Sequence, residues 1–583
     1  MLAQYYYRIM LTFVAITSFS VISQTENVQH DEPNIVFIAV DDLNDWVGYL
    51  GGHPDTKTPN IDKLAKRGVY FTNAYTVSPI CGPSRASVLT GQRPETTGVY
   101  HNVGAYKDYV PNVTALPQFL RKNGYHVMGA GKINHSMSML YPENFDEYGP
   151  SAGAIGGPFT LEELNLTPKK QFKRLDIHGA ESNQKSGIVK NVYPGKIIKR
   201  GTLSATLPLN GINNVLDRPF NGYNTFDWGP VDVTDDEMPD GKVAKWAEKK
   251  LSQSYEKPFF LGVGFYRPHQ PFYAPRKYFD AFTDVDISLP KVIDNDLDDL
   301  SIPASYYAHY PWSGSFDRVQ KQHKWQDGVK GYLAAIHFAD AQIGRVLDAL
   351  DNSAHKDNTL IVLWSDHGWE LGEKEHWGKH TAWEGSTRVP FVIVPPKNMN
   401  IKNSSNNSFV SLLDIYPTIA DYANVAIPTY LEGKSLKSLV DGKQDKVRDY
   451  SITTLGRASY AIRKGNWKYI HYFDGSEELY NLSIDSHEWH NLASKTEQQN
   501  RLYELRTLVP IDAHFQQLIR YKNWKAIITS SNEFQLYDLL EPKNGIGEHD
   551  EVSKENPDIV KTIKRGLASL KADQRYISLV SEN

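Results

Sequence analysis

This chain of 583 residues contains a single cysteine, Cys81. It can form no internal disulfide, and one thiolate cannot build a zinc site. Charge of one sign is also scarce: the formal net charge is −5. That balance gives no footing for nucleic acid, and it leaves any anionic ligand dependent on local cations. No apolar run beyond the N-terminus is long enough to span a membrane. With 40% hydrophobic and 22% charged residues, disorder is excluded as the main state. The length calls for two domains, or one large domain with a satellite.

What is present begins with a leader. Arg8 precedes the short apolar run Ile9–Ile16, and Val21-Ile22-Ser23 offers a cleavage site. These features predict a signal peptide over 1–23 and export to the periplasm or the medium. In an oxidising compartment a spare thiol is a liability unless it has a task. Cys81 sits in Cys81-Gly82-Pro83-Ser84-Arg85, ahead of Leu89-Thr90-Gly91. Pro83 suits a first helical turn. A sulfur, a hydroxyl and a guanidinium then share a helix N-terminus, which is a place for an anion. The bland reading is a small buried hydrophobe.

Continuously apolar segments at Asn34–Val40, Tyr125–Ala130, Pro258–Phe265, Thr359–Trp364 and Val389–Val394 read as strands buried on both faces. Helical patterns at Pro59–Lys66, after Thr114, at Lys242–Leu251 and at Gly331–Leu350 alternate with them. The order predicts an α/β fold, a large mostly parallel sheet flanked by helices. Residues from about 150 to 225 read as long loops, with nine Lys or Arg against two acidic residues between Lys169 and Arg200. After about Ser435 the character changes to a smaller α+β subdomain on an antiparallel sheet. There Trp467-Lys468 with Leu479-Tyr480-Asn481-Leu482 is echoed by Trp524-Lys525 with Leu536-Tyr537-Asp538-Leu539. This suggests a duplicated hairpin over 463–482 and 520–539. The domains expected are 24–435 and 436–583, with a closing helix at 559–570.

Four of the strands end in groups that bind anions or metals: Asp41-Asp42, Lys132, His269 and Asp366-His367. In a parallel sheet these ends share the carboxyl edge, where open α/β folds place ligands. Asp41, Asp42 and Asp366 are hard oxygen donors suited to Ca²⁺ or Mg²⁺. A divalent cation with Arg85, Lys132, Lys379, His135 and His269 would hold a tetrahedral oxyanion. Trp369, Trp377, Trp383 and Tyr273 stand close in sequence to these residues and are the candidates for the pocket wall.

The Cys81 motif resembles the signature of type I sulfatases of the alkaline phosphatase superfamily. Gly131-Lys132 with His135 is similar to that family's second signature. Arg267-Pro268-His269-Gln270-Pro271-Phe272, Ser365-Asp366-His367-Gly368 and Trp377-Gly378-Lys379-His380 resemble iduronate-2-sulfatase-like members most. Glu478–Leu482 resembles the C-terminal signature, and the likeness covers most of residues 33 to 500. It implies that a formylglycine-generating enzyme converts Cys81 to formylglycine. It implies one calcium ion held by Asp41, Asp42, Asp366, His367 and residue 81. It implies that Arg85 holds the aldehyde hydrate and that Lys132 and Lys379 bind sulfate. His135 would then take the hydrate's proton, and His269 would serve the leaving alcohol or the sulfate. The substrate implied is a sulfated oligo- or polysaccharide with uronic acid or pentose units. A phosphodiesterase or phosphonate monoester hydrolase of the same superfamily is the rival reading, and a polysaccharide-binding protein with a dead site is the second.

Overall fold

A computed structural model describes residues 32–102, 106–135, 143–150, 226–309, 315–397 and 405–510. It also describes shorter segments at 159–160, 181–183, 188–190, 198–199, 210, 212, 515–521, 524–529, 534–538, 554 and 556–561. The expected signal peptide and most of the basic stretch 169–200 lie outside these residues. Of the closing helix expected at 559–570, only 559–561 is described, and it is helical.

The main sheet has nine strands: β1 (Asn34–Asp41), β2 (Val69–Tyr75), β3 (His126–Gly131), β4 (Glu147–Tyr148), β5 (Phe159–Thr160), β6 (Phe259–Pro268), β7 (Thr359–Ser365), β8 (Phe391–Val394) and β9 (Ser405–Ser411). Their order is β9-β2-β8-β7-β1-β6-β3-β4-β5. The central run β7-β1-β6-β3-β4 is parallel throughout. β8 runs antiparallel to both β7 and β2, a direction its local sequence does not encode. β2 and β9 were not foreseen as strands. β2 alternates with half-buried Tyr70, Thr72 and Asn73, so it lacks the continuous apolar run of a central strand.

β1 shows why the centre reads so clearly. Val36, Ile38 and Val40 face one core, and Ile35, Phe37 and Ala39 face the other. Successive strand side chains point to opposite faces, so a strand covered on both sides is apolar at every position. Helices α4 (Pro239–Leu251) and α5 (Trp325–Asp351) cover the first face; α2 (Cys81–Thr90) and α3 (Leu116–Lys122) cover the second. α1 (Pro59–Arg67) also packs on the first. α3 begins after Ala115 rather than at Thr114, whose carbonyl accepts from Tyr416 and Tyr430 instead.

A separate four-stranded antiparallel sheet follows: Tyr450–Gly456, Ser459–Lys464, Trp467–His471 and Glu477–Asn481. It is bound to the large sheet, since Thr454 N–H donates to the Val77 carbonyl and Thr453 Oγ1 to that of Thr76. Three further strands, Phe515–Tyr521, Trp524–Thr529 and Phe534–Asp538, pair in a matching register. Trp524 lies opposite Asp538 as Trp467 lies opposite Asn481, and Ala526 opposite Leu536 as Tyr469 opposite Leu479.

α1 has no side-chain cap of its own. Asp340 of α5 supplies the acceptor, taking the N–H of Asn60 and that of Ile61, at 3.1 and 2.8 Å. Burial raises the Asp340 carboxyl from 3.8 to about 6, against the pull of those bonds. Asp340→Ala is expected to cost about 2 kcal/mol in denaturant unfolding. The folded carboxyl keeps a proton that the unfolded one loses. The penalty is therefore full below pH 3.8 and shrinks as pH rises through about 6, as unfolding curves across that range will show.

Candidate active site

The strand ends converge as their order requires. β1 delivers Asp41 and Asp42, β3 Lys132, β6 His269, and β7 Asp366 and His367. Two glycines permit the close approach of β3 and β6. Gly131 turns out of β3 at φ +74°, and a Cβ there would meet the Gly264 carbonyl at 1.9 Å. A Cβ on Gly264 would meet the Lys132 backbone at 2.2 Å. At β1 the register with β6 shifts between Val40 and Asp41, and Asp42 takes the left-handed conformation at φ 60°. Tyr332 of α5 pins this turn. Its hydroxyl donates to the Asp42 carbonyl at 2.6 Å and accepts the Asn44 N–H at 3.0 Å.

Cys81 opens α2, as its Pro83 predicts, and every residue of that helix is buried. The Gly82 N–H donates to Asn102 Oδ1 at 2.6 Å. Ser84 Oγ and Thr76 Oγ1 both donate to the Asp366 carbonyl, at 2.6 and 2.5 Å. Arg85 is wholly buried and spends its fork on three strand ends. Nε donates to Asp366 Oδ2 at 2.8 Å, Nη2 to Asp41 Oδ1 at 3.2 Å, and Nη1 to the carbonyls of Lys132 and Ile133.

Four groups close on the sulfur. Lys379 Nζ lies 3.0 Å from Cys81 Sγ and 2.7 Å from Asp42 Oδ1. His367 Nε2 lies 3.2 Å from Sγ, Lys132 Nζ 3.9 Å, and Asp42 Oδ1 3.9 Å. Lys132 also pairs with Asp41. The two lysines and burial compete over the thiol; burial opposes ionisation, yet the ammonium groups leave Cys81 below its usual range. Asp41 is likewise pulled far down, against burial, by Lys132, Arg85 and Lys379. Asp42 goes the other way. Burial, with Asp41 and Cys81 adding like charge, lifts it to about 8 although Lys379 opposes. His367 rises to about 9 because Asp366 and Cys81 outweigh burial.

The residues fit a divalent cation. Single donor atoms of Asp41, Asp42, Cys81 and His367 all lie within 4.8 Å of one another. Asp42 Oδ2 is buried without a hydrogen-bond donor, which is costly unless a cation answers it. His367 donates through Nδ1 to the Gly368 carbonyl at 3.0 Å, leaving Nε2 toward the cluster. Asp366 borders this group: Oδ1 accepts the N–H of Asp42 and His367, and Oδ2 takes Arg85.

Two histidines flank the centre. His269 Nε2 lies 3.7 Å from Asp42 Oδ2, and its Nδ1 donates to the Gln270 carbonyl at 2.6 Å. His135 is partly buried with no partner at Nδ1, and burial with nearby Lys132 lowers it to about 3, so its ring is neutral. The aromatic wall read from sequence is not one. Trp377 packs on Phe226 and Trp228 in the core, Trp383 donates to Glu478, and Tyr273 donates to Asp227. All three are buried. Trp369, also buried in the core, has its ring 5.5 Å from Lys379 Nζ. Tyr332, Asn102 and Thr76 carry no local signal in the sequence; their roles exist only through contacts distant along the chain.

Comparison with known proteins agrees with this geometry. A family model described as Sulfatase matches residues 33–425, and one described as N-sulphoglucosamine sulphohydrolase, C-terminal, matches 372–511. A sulfatase of Formosa agariphila is 34% identical over 82% of this chain and 87% of its own. The iduronate 2-sulfatase of Mus musculus is 28% identical over 69% of this chain and 70% of its own. A solved 2-O GAG sulfatase superposes with a TM-score of 0.58 at 23% identity, over 82% of this chain and 91% of its own. At that identity the likeness bears on the fold alone. The chain belongs to the sulfatase family and is a sulfuric ester hydrolase.

Proposed function

We propose that the protein is an exported sulfatase that removes sulfate esters from anionic saccharides, using residue 81 as formylglycine and one calcium ion. The observation that carries this is the sulfur of Cys81, set at a buried helix start between Lys379 Nζ and His367 Nε2 at 3.0 and 3.2 Å. Asp41, Asp42, His367 and residue 81 would hold the ion, with Asp366 beside them. Once present, calcium supplies charge neutralisation at the ester, and a formylglycine-generating enzyme supplies the hydrated aldehyde as nucleophile.

The chain's own residues do the rest. Arg85 locks α2 against β1, β3 and β7, so position 81 cannot drift from the cluster. Lys132 and Lys379 carry the ammonium groups nearest the nucleophile and bind the sulfate oxygens. His135, neutral at pH 7, accepts a proton from the nucleophile's hydroxyl. His269 donates a proton to the departing alkoxide oxygen, its ring steered by the Gln270 carbonyl. Uronic acid or pentose sulfates are the proposed substrates, supported by the iduronate 2-sulfatase relative. Phosphate diesters and phosphonates are not favoured, since the family match and both relatives are sulfatases by name.

Protein coexpressed with a formylglycine-generating enzyme is expected to release sulfate from a 2-O-sulfated uronate disaccharide and from an aryl sulfate. Peptide mass spectrometry at residue 81 reports conversion. Cys81→Ala should lose at least about 10³-fold in kcat/KM. Faster cleavage of an aryl phosphate diester by the converted protein would overturn the reading. Chelation is expected to lower the melting temperature, and calcium at 100 times its Kd to return about 2.7 kcal/mol; a melting curve indifferent to both would remove the metal. Arg85→Lys leaves Asp366 or Asp41 without its donor, at an expected cost of about 3–5 kcal/mol in urea unfolding.

A further inference from the structure

The catalytic centre has three fixed cations, Arg85, Lys132 and Lys379, set against three carboxylates, Asp41, Asp42 and Asp366. All three cations are already paired with these carboxylates, and the sulfate ester draws on Lys132 and Lys379 as well. A further arginine stands on the small sheet, in a turn hydrogen-bonded to the loop that carries Lys379.

Arg457 occupies the turn between strands Tyr450–Gly456 and Ser459–Lys464. The pairing shifts register between Thr454 and Gly456, and Ala458 takes φ +53°. This turn is fastened to the active-site loops from both sides. The Leu455 carbonyl accepts from His380 Nε2 at 3.2 Å, and His380 follows Lys379 directly. The His380 N–H in turn donates to Pro79, two residues before Cys81. The Arg457 guanidinium lies 5.2 Å from the ring centroid of Tyr100. Tyr100 leads into Asn102, whose side chain accepts the Gly82 N–H. The guanidinium is therefore anchored to the two segments that present the nucleophile and Lys379.

Its surroundings separate it from the other arginines on this side of the molecule. Arg93 pairs with Glu95, Arg388 with Asp45, Arg448 with Asp414 and Arg463 with Glu384. Among the described residues, no carboxylate pairs with partly buried Arg457. A guanidinium held against an aromatic face keeps its N–H edge for a planar or tetrahedral oxyanion, which it can grip with two bonds.

We propose that Arg457 binds a second anionic group of the substrate, a carboxylate or a second sulfate on the sugar that carries the scissile ester. This rests on the sulfatase reading of the centre and assigns the small sheet a part in choosing polyanionic over singly charged substrates. An arginine here discriminates chiefly by KM, because its bond to the spectator anion is the same before and during ester cleavage.

The test uses the full, converted chain with Arg457→Gln and Arg457→Lys. Its probes are a 2-O-sulfated uronate disaccharide, the carboxyl-reduced form of that disaccharide, and a hexose bearing one sulfate or two. The expected result is a fall of tenfold or more in the kcat/KM ratio of uronate to carboxyl-reduced substrate for Arg457→Gln, carried by KM. Lysine should restore part of it. A fall confined to the disulfated-to-monosulfated ratio supports the proposal with sulfate as the second anion. Equal losses on all four probes indicate structural damage and overturn it, as does no change in either ratio. Binding decides separately from turnover. In Cys81→Ser protein, calorimetry with the uronate disaccharide should show affinity at least tenfold weaker when Arg457→Gln is added. Equal affinities overturn the proposal even where the sulfatase reading holds. Absence of sulfate release by the parent protein sinks that reading while this comparison still stands.

Discussion

One buried guanidinium holds the centre together. Arg85 reaches Asp366 after β7, Asp41 at the end of β1 and the carbonyls that follow β3. Its own backbone belongs to the helix that begins with Cys81. Removing an arginine from water is expensive, and the cost is offset only where all its donors find acceptors in good geometry. Here each of its three nitrogens finds one, and the strand ends are fixed relative to Cys81 as a result. Lys132 and Lys379 perform a different task. Each bridges a carboxylate to the neighbourhood of the sulfur, and so remains available to exchange partners when an anion arrives.

Much of this was legible along the chain because the central strands are covered on both faces. Such strands are apolar at every position, and their polar ends stand out: Asp41-Asp42, Lys132, His269 and Asp366-His367 all fall where the continuous runs stop. The helix that begins with Cys81 was legible for a separate reason, the proline in its first turn. Strand direction was not. β8 is as apolar as its neighbours yet antiparallel, since direction depends on how the chain returns and not on its own residues. The half-buried β2, with Thr72 and Asn73 among its residues, lacked the pattern altogether.

The residues that sequence reasoning missed share a cause. Tyr332 supports Asp42 from 290 positions away, and Asn102 meets Gly82 through a single bond. Neither belongs to a local pattern. Trp377 and Trp383 fail in the opposite sense: they stand near Lys379 in sequence yet are buried in the core. Trp377 lies against Gly328 of α5, where a Cβ would stand 2.5 Å from its ring. Its indole fills a gap left by a missing side chain, which is core packing.

The attachment of the small sheet has a consequence for the order of assembly. The carbonyls of Thr76 and Val77, just ahead of Cys81, find their donors in Thr453 and Thr454. His380, beside Lys379, finds its acceptor in Leu455. A chain emerging from the ribosome presents the large sheet first. Until the segment around residue 455 is released, the carbonyls of Thr76 and Val77 lack the donors they have in the finished fold. Completion of the site around Cys81 is thus tied to the last third of translation, and the large sheet by itself is a scaffold awaiting its brace.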